Sequence, residues 1–286
     1  MNLKPCKDNE TFNKIKSENP IYSEILVFYK KILDIRDDYL DRLHSTITPV
    51  DINDHILTAK IKEGFPLIDI RNLQTDYSLM TDYFLKLLSI VDGLDEKDTE
   101  KLTALAFEPN EFKTVIEKTL QEETHTDYPN VLPFFLEETI HPIFEVHASF
   151  LKDRPELKGW VYGYCPICGM QPIVGIIKGE DGKKYLICGS CDSKWSFPRI
   201  KCPCCGTNDP IQLSYLTSKE DSRHRIEICD NCQNYLKVID LRPTGQDIFA
   251  NIENLLTLHL DIIARKKGYT NKHSPFYSAI RGALAT

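Results

Sequence analysis

Eight cysteines between Cys165 and Cys232 fall as four Cys-x-x-Cys pairs, and this pattern constrains the chain more than any other feature. The pairs are Cys165/Cys168, Cys188/Cys191, Cys202/Cys205 and Cys229/Cys232. Nineteen residues separate the first two pairs and twenty-three the last two, spacings at which four thiolates close on one ion. The pattern predicts two tetrathiolate metal sites made from these eight residues. Disulfides are the competing use of paired cysteines. They need an exporting signal, and Met1-Asn-Leu-Lys-Pro5 opens without an apolar segment, so a cytoplasmic location is the expectation. A redox pair would stand alone in a βαβ setting and would not recur four times.

The same stretch is an internal duplication. Cys165-Pro-Ile-Cys-Gly169 aligns with Cys202-Pro-Cys-Cys-Gly206, and Ile187-Cys-Gly-Ser-Cys191 with Ile228-Cys-Asp-Asn-Cys232. In each half a Cys-Pro-x-Cys-Gly turn is followed by a connection, a short apolar strand ending in Ile-Cys, a second turn, and an aromatic-bearing strand (Trp195 to Ile200, Tyr235 to Ile239). This is the element order of a rubredoxin or zinc-ribbon unit. Pro166 and Pro203 fix one torsion of each turn, and Gly169 and Gly206 can take the positive φ that turns backbone amides towards the sulfurs. Each half contains a full ligand set, which favours serial pairing over an interleaved cross-brace. Cys204 lies between two proposed ligands and reads as a bystander, with a register in which it replaces a neighbour as the alternative. Zinc and iron both accept a sulfur tetrahedron, so the ion is Fe or Zn.

Composition is that of an ordinary globular chain, with 42% hydrophobic and 27% charged residues over 286 positions, enough for more than one domain. No apolar run approaches the length of a membrane span. The net charge of −7 is unevenly placed: residues 1–158 hold 19 basic and 30 acidic groups, residues 159–240 hold 10 and 9, and residues 241–286 hold 6 and 3. Eight thiolates and two divalent ions would leave the cysteine-rich segment at about −3. Nucleic acid prefers a basic surface, so the expectation is no nucleic-acid partner.

Ahead of the cysteines the apolar periodicity is helical. Residues 1–18 read as polar and frayed, with Cys6 a lone thiol. Helices are expected from Ile21 to Leu43, Asp51 to Lys62, Tyr77 to Val91, Glu96 to Phe107, Pro109 to Leu120, and Val131 to Leu151, the last interrupted by Pro142. After the cysteines, Gln246 to Lys267 reads as one helix capped by Gly268. The expected class is therefore α+β: an N-terminal all-α helical bundle (1–158), two tandem rubredoxin-like or zinc-ribbon modules (159–200 and 201–242), and a C-terminal helix and tail (243–286).

The chain contains no metalloprotease, nucleophile-elbow, phosphate-loop or dinucleotide motif. Gly179-Glu-Asp-Gly-Lys183 reads as a hairpin turn. The acidic pairs Glu122/Glu123 and Glu137/Glu138 read as solvated helix faces, His224 as a loop residue and His259 as a packing residue.

Gly163-Tyr-Cys-Pro-Ile-Cys-Gly169, the three further Cys-x-x-Cys pairs, Tyr235-Leu-Lys-Val238, and Leu258-His-Leu-Asp-Ile-Ile-Ala264 running into Lys267-Gly-Tyr269 resemble the formate dehydrogenase accessory protein FdhE family over about residues 160–275. The resemblance implies a cytoplasmic assembly factor without catalysis, contacting the catalytic subunit of formate dehydrogenase. It also implies metal ligation by Cys165, Cys168, Cys188, Cys191, Cys202, Cys205, Cys229 and Cys232. Cys204 departs from the family pattern. Two alternatives come from the residues alone: a rubredoxin-like electron carrier and a nucleic-acid-binding zinc ribbon.

Overall fold

A computed structural model of the chain describes residues 9–49, 52–70, 73, 75–121, 125–217, 221–243 and 248–271. The chain forms two compact units, each discontinuous in sequence.

One unit comprises residues 27–51 and 68–150, with α-helices as the regular elements of its described residues, and a C-terminal piece, 275–286, outside the described residues. Helix α2 (Ser23–Thr46) belongs to it beyond the first turn, together with α4 (Tyr77–Ile90), α5 (Glu96–Phe107), α6 (Pro109–Leu120) and α7 (Leu132–Ser149). Helix α4 is the centre, packing on α5, α6 and α7. Its apolar stripe is what the 3.6-residue period requires: Leu79, Met80, Tyr83, Phe84, Leu87 and Leu88 are all buried. Asp76 caps α4 by accepting from the Ser78 and Leu79 amides, and Asp95 caps α5 through the Lys97 amide. Aromatic contacts fill the centre, with Tyr39 stacked on Tyr83 at 4.1 Å and Phe84 edge-on to Phe112 at 5.2 Å. Arg36 is buried and paired with Glu145 at 2.5 Å.

Helix α7 continues through Pro142, whose ring removes the donor that would have met the Glu138 carbonyl. Glu138 corrects the solvated-face reading, since it is buried in α7. Along with burial itself, its charge raises the pKa of Tyr83. The pair Glu122/Glu123 and Cys6 lie outside the described residues.

The other unit comprises residues 1–26, 52–67 and 151–274. It includes α1 (Asn9–Glu18), where the sequence suggested fraying; a single buried anchor, Phe12, holds this helix, too few apolar positions to make a stripe. Helix α3 (Asp54–Glu63) is capped at its start by Asn53.

The core of the unit is one antiparallel-rich, six-stranded sheet. Its strands are β1 (Pro172–Lys178), β2 (Lys183–Cys188), β3 (Lys194–Phe197), β4 (Leu213–Thr217), β5 (His224–Cys229) and β6 (Asn234–Asp240). The order is β3-β2-β1-β6-β5-β4, so the two repeats join through a parallel pairing of β1 with β6, with Gly175 opposite Val238. Each repeat has the same internal order, third strand, second strand, first strand. They follow one another head to tail, leaving β3 and β4 as the outer strands.

Helices α8 (Ala250–Leu256) and α9 (Leu258–Lys266) cover one face of this sheet, α8 against β1 and α9 against β5. Ile226, Ile228 and Tyr235 pack there on Leu260 and Ala264. Where one C-terminal helix was predicted there are two, separated at Thr257, which leaves helical geometry at φ −113° and ψ 22°. The predicted start of that helix, Gln246, lies outside the described residues. Gly268 ends α9 at φ 89°.

Candidate metal centres

The duplicated turns agree hydrogen bond for hydrogen bond. Cys165 N donates to Met170 O and Cys202 N to Thr207 O, both at 2.8 Å. Gly169 N donates to Cys165 O and Gly206 N to Cys202 O, both at 3.0 Å, with the two glycines at φ 80° and 75°. The second turns match too: Asp192 and Gln233, each one residue past a cysteine, take φ 55° and 54°.

These turns gather the thiols into two clusters, Cys165, Cys168, Cys188 and Cys191 in the first and Cys202, Cys205, Cys229 and Cys232 in the second. Each cluster draws all its sulfurs from one repeat. Four sulfurs about 2.3 Å from a tetrahedral ion stand about 3.8 Å apart. The sulfur separations are 3.6 Å for Cys165–Cys191 and 3.4 Å for Cys168–Cys188, and 3.7 Å for both Cys202–Cys232 and Cys205–Cys229. Backbone amides point at the sulfurs, Ile167 N to Cys165 at 3.4 Å and Ser190 N to Cys188 at 3.3 Å, as a negatively charged tetrathiolate needs. The donor set therefore fits a thiophilic divalent ion in both clusters.

Electrostatics agree. At Cys165 burial opposes ionisation, yet hydrogen bonds from the Cys168, Cys188 and Cys191 thiols hold the pKa well below the usual thiol value. Burial pushes Cys168 and Cys188 well up, so the first cluster cannot hold several thiolates unaided. In the second cluster burial pushes Cys202 up to about 11. Cys205 is held at about 6 against a burial cost, chiefly by the Asn231 amide, whose nitrogen lies 3.4 Å from the sulfur. A bound cation supplies the charge that lets the remaining thiols ionise.

The clusters differ in exposure. All four residues of the first are buried, whereas in the second Cys205 is exposed and Cys232 half-buried. The first is further sealed within its unit by residues 64–67: Tyr164 Oη donates to Gly64 O at 2.6 Å and Leu67 N to Pro166 O at 3.0 Å. Trp160, Tyr162 and Tyr164 pack as one aromatic group beside it. Sequence reading missed this seal, because nothing in residues 64–67 signals a partner a hundred positions away. Cys204 lies outside the second cluster and lines an adjoining cavity.

His224 stands at the start of β5, where Nδ1 lies 2.7 Å from Asp221 and Nε2 2.9 Å from Glu253. His259 is exposed on α9 and meets Tyr22 Oη at 2.7 Å, which replaces the packing reading. Gly179–Lys183 forms the β1–β2 hairpin turn, with Gly182 N on Gly179 O at 3.0 Å.

On the other face of the sheet, opposite the helices, Lys184 of β2 and Arg225 of β5 both bind Glu227, and Lys184 is fully buried. Lys184 crosses β1 over Gly175, where a Cβ would stand 3.5 Å from its Cε and 3.1 Å from Val238. Beneath α9, Lys237 Nζ donates to Asp261 at 2.7 Å and to the Asn254 carbonyl at 2.9 Å, while Tyr235 Oη donates to Asp261 at 2.6 Å. Neither network was visible in the sequence.

Fold and site together define an α+β protein whose sheet is a duplicated, thiol-clustered ribbon of the rubredoxin or zinc-ribbon kind. Residues 164–199 match the central domain of FdhE and residues 200–276 its C-terminal domain. An FdhE homologue of Aquifex aeolicus is 27% identical over 278 residues, 94% of this chain and 95% of that protein. An FdhE homologue of Stutzerimonas stutzeri is 30% identical over 140 residues, 47% of this chain and 43% of that protein. The crystal structure of the FdhE protein from Pseudomonas aeruginosa shares the fold, with a TM-score of 0.67 at 21% identity over 93% of this chain and 92% of that one. The chain is thus similar to the FdhE family, through both domain models over residues 164–276 and through the Aquifex aeolicus homologue over nearly its whole length.

Proposed function

We propose that this protein is a cytoplasmic accessory factor for formate dehydrogenase, binding that enzyme's catalytic subunit during assembly through the ribbon sheet and performing no catalysis itself. The observation that carries the reading is the pair of four-thiol clusters built into one continuous sheet, in a chain whose similarity to the FdhE family extends across both repeats. In this reading, Fe or Zn held by Cys165, Cys168, Cys188, Cys191, Cys202, Cys205, Cys229 and Cys232 supplies rigidity that short strands alone do not. No described helix is long and apolar enough to cross a membrane. The test is a deletion strain assayed for formate dehydrogenase activity. Activity should be lost, return with the wild-type gene, and fail to return with Cys165→Ser/Cys168→Ser; full activity in the deletion strain would reject the reading.

The exposure of Cys205 favours a second reading, electron transfer through iron at the second cluster. It requires a coloured protein whose absorption bleaches reversibly on reduction and returns with a partner oxidant; a colourless zinc-loaded protein excludes it.

A further inference from the structure

The second turns of the two repeats differ at one equivalent position. Cys188-Gly-Ser-Cys-Asp-Ser193 aligns with Cys229-Asp-Asn-Cys-Gln-Asn234, so Ser193 corresponds to Asn234. Each follows the residue of positive φ, Asp192 or Gln233, that folds the chain back over the last cysteine of its cluster. Asn234 directs its amide to the Cys232 carbonyl at 2.9 Å. Ser193 brings its hydroxyl to 3.1 Å from the Cys191 sulfur. The Ser193 carbonyl accepts from the Cys188 amide at 2.9 Å, and the residue is 5% exposed, so the hydroxyl is held in place and kept from water. In the second cluster the side-chain donor is Asn231, 3.4 Å from Cys205, so the two repeats support different ligands.

Four thiolates around one divalent ion carry a net negative charge, and all four residues of the first cluster are buried. A buried charge of this kind needs hydrogen-bond donors aimed at its sulfurs. Ile167 N is the donor at Cys165 and Ser190 N at Cys188. At Cys191 the group in reach is the Ser193 side chain. Apart from Cys191, the Ser193 hydroxyl has no hydrogen-bond partner among the described residues. A thiol at Cys191 would give its hydrogen to the Ser193 oxygen and leave the hydroxyl hydrogen without an acceptor in a buried site. A thiolate at Cys191 takes that hydrogen, so the contact is complete only when the sulfur is ionised as a metal ligand.

We infer that Ser193 is a positioning residue of the first metal centre: its hydroxyl donates to the Cys191 thiolate, slows release of the ion and lowers the energy of the sulfur electrons shared in ligation. Hydrogen bonds to ligand sulfurs are among the contacts that set a site's affinity and electronic properties. Ser193 touches no ion itself and acts through Cys191. The inference rests on ligation at the first cluster and is independent of the formate dehydrogenase client.

The probe is cobalt(II), loaded into the full chain carrying Cys202→Ser/Cys205→Ser so that the first cluster alone is read. Removing a hydrogen bond raises the energy of the sulfur lone pairs. Ser193→Ala should therefore move the thiolate-to-cobalt charge-transfer band to longer wavelength and speed release to a chelator about tenfold or more. Ser193→Thr keeps the hydroxyl and should stay near the parent in both readings, and Ser190→Ala, one position before Cys191, should change neither. An unshifted band in Ser193→Ala, the same shift in Ser193→Thr or Ser190→Ala, or faster release with no band shift would overturn the inference, the last because lost packing alone accelerates release. Should Ser193→Ala fail to take up cobalt, Ser193→Thr decides: the parent's band and release rate support the inference, and no uptake overturns it. A parent chain that binds no cobalt removes ligation at the first cluster and the inference with it. A loaded parent indistinguishable from Ser193→Ala removes the inference alone.

Discussion

Lys184 and Arg225 occupy equivalent positions in the two repeats, four residues before Cys188 and Cys229, and both donate to the same carboxylate, Glu227. A duplication that would otherwise have stacked two like charges on one face has instead placed a carboxylate at the Leu186-equivalent position of the second repeat. The ion pair ties β2 of one repeat to β5 of the other across the parallel β1–β6 junction.

Because Lys184 is fully buried, removing its partner leaves an uncompensated charge inside the sheet. Glu227→Ala should cost about 3 kcal/mol or more of unfolding free energy. The paired change Lys184→Met/Glu227→Leu should recover most of it. Urea unfolding of the three proteins checks this. Burial alone would raise the Glu227 pKa, but Lys184 and Arg225 hold it below the usual carboxylate value, so its contribution is present above the unfolded pKa and fades as pH falls through the folded one.

His224 has the opposite sign. Burial disfavours its charged form, but hydrogen bonds to Glu253 and Asp221 and their charges outweigh that and raise its pKa, with Arg223 also on Glu253. A raised folded pKa stabilises fully below the unfolded value near 6.5, and the contribution is lost as pH rises through the folded pKa. The stability difference between wild type and His224→Gln should therefore be larger at low pH than at high pH. Denaturant melts across that range measure it, and a pH-independent difference would contradict it.

Lys237 is buried, and burial pulls its pKa below the usual lysine value while Asp261 works against that. Asp261→Ala strips Lys237 and Tyr235 of their shared acceptor and should release α9 from the sheet. The expected readout is faster amide exchange in residues 258–266 and a loss on the order of 3 kcal/mol.

The two clusters should exchange metal at different rates. The first is buried and covered by residues 64–67, whereas Cys205 opens the second to solvent. A competing chelator should remove one ion per chain quickly and the other slowly. Cys202→Ser/Cys205→Ser should abolish the fast phase alone, and a single-phase release from wild type would count against the difference.

Much of this was readable from local pattern. Helices α5 and α6 begin and end where Asp95, Pro109 and the apolar period put them, and the cysteine spacing alone nominates eight thiols that the fold brings into two groups of four. Reading failed where the cause is distant or singular. Helix α1 rests on one anchor, Phe12, and so carries no period. The break at Thr257 falls inside an unbroken apolar stripe, and no local residue pattern marks it. Glu138 looks like any surface carboxylate until tertiary packing buries it. The joining of the repeats into one sheet depends on Gly175 lying against Val238, sixty-three positions away, a relation no local pattern contains.

Metal content per chain tests the central claim most directly. Protein purified without chelators, weighed by native mass spectrometry alongside elemental analysis, should carry two divalent ions. Cys165→Ser/Cys168→Ser and Cys202→Ser/Cys205→Ser should each carry one. A wild-type chain without bound metal, or loss of both ions from either variant with the helical unit still folded, would contradict two independent tetrathiolate centres.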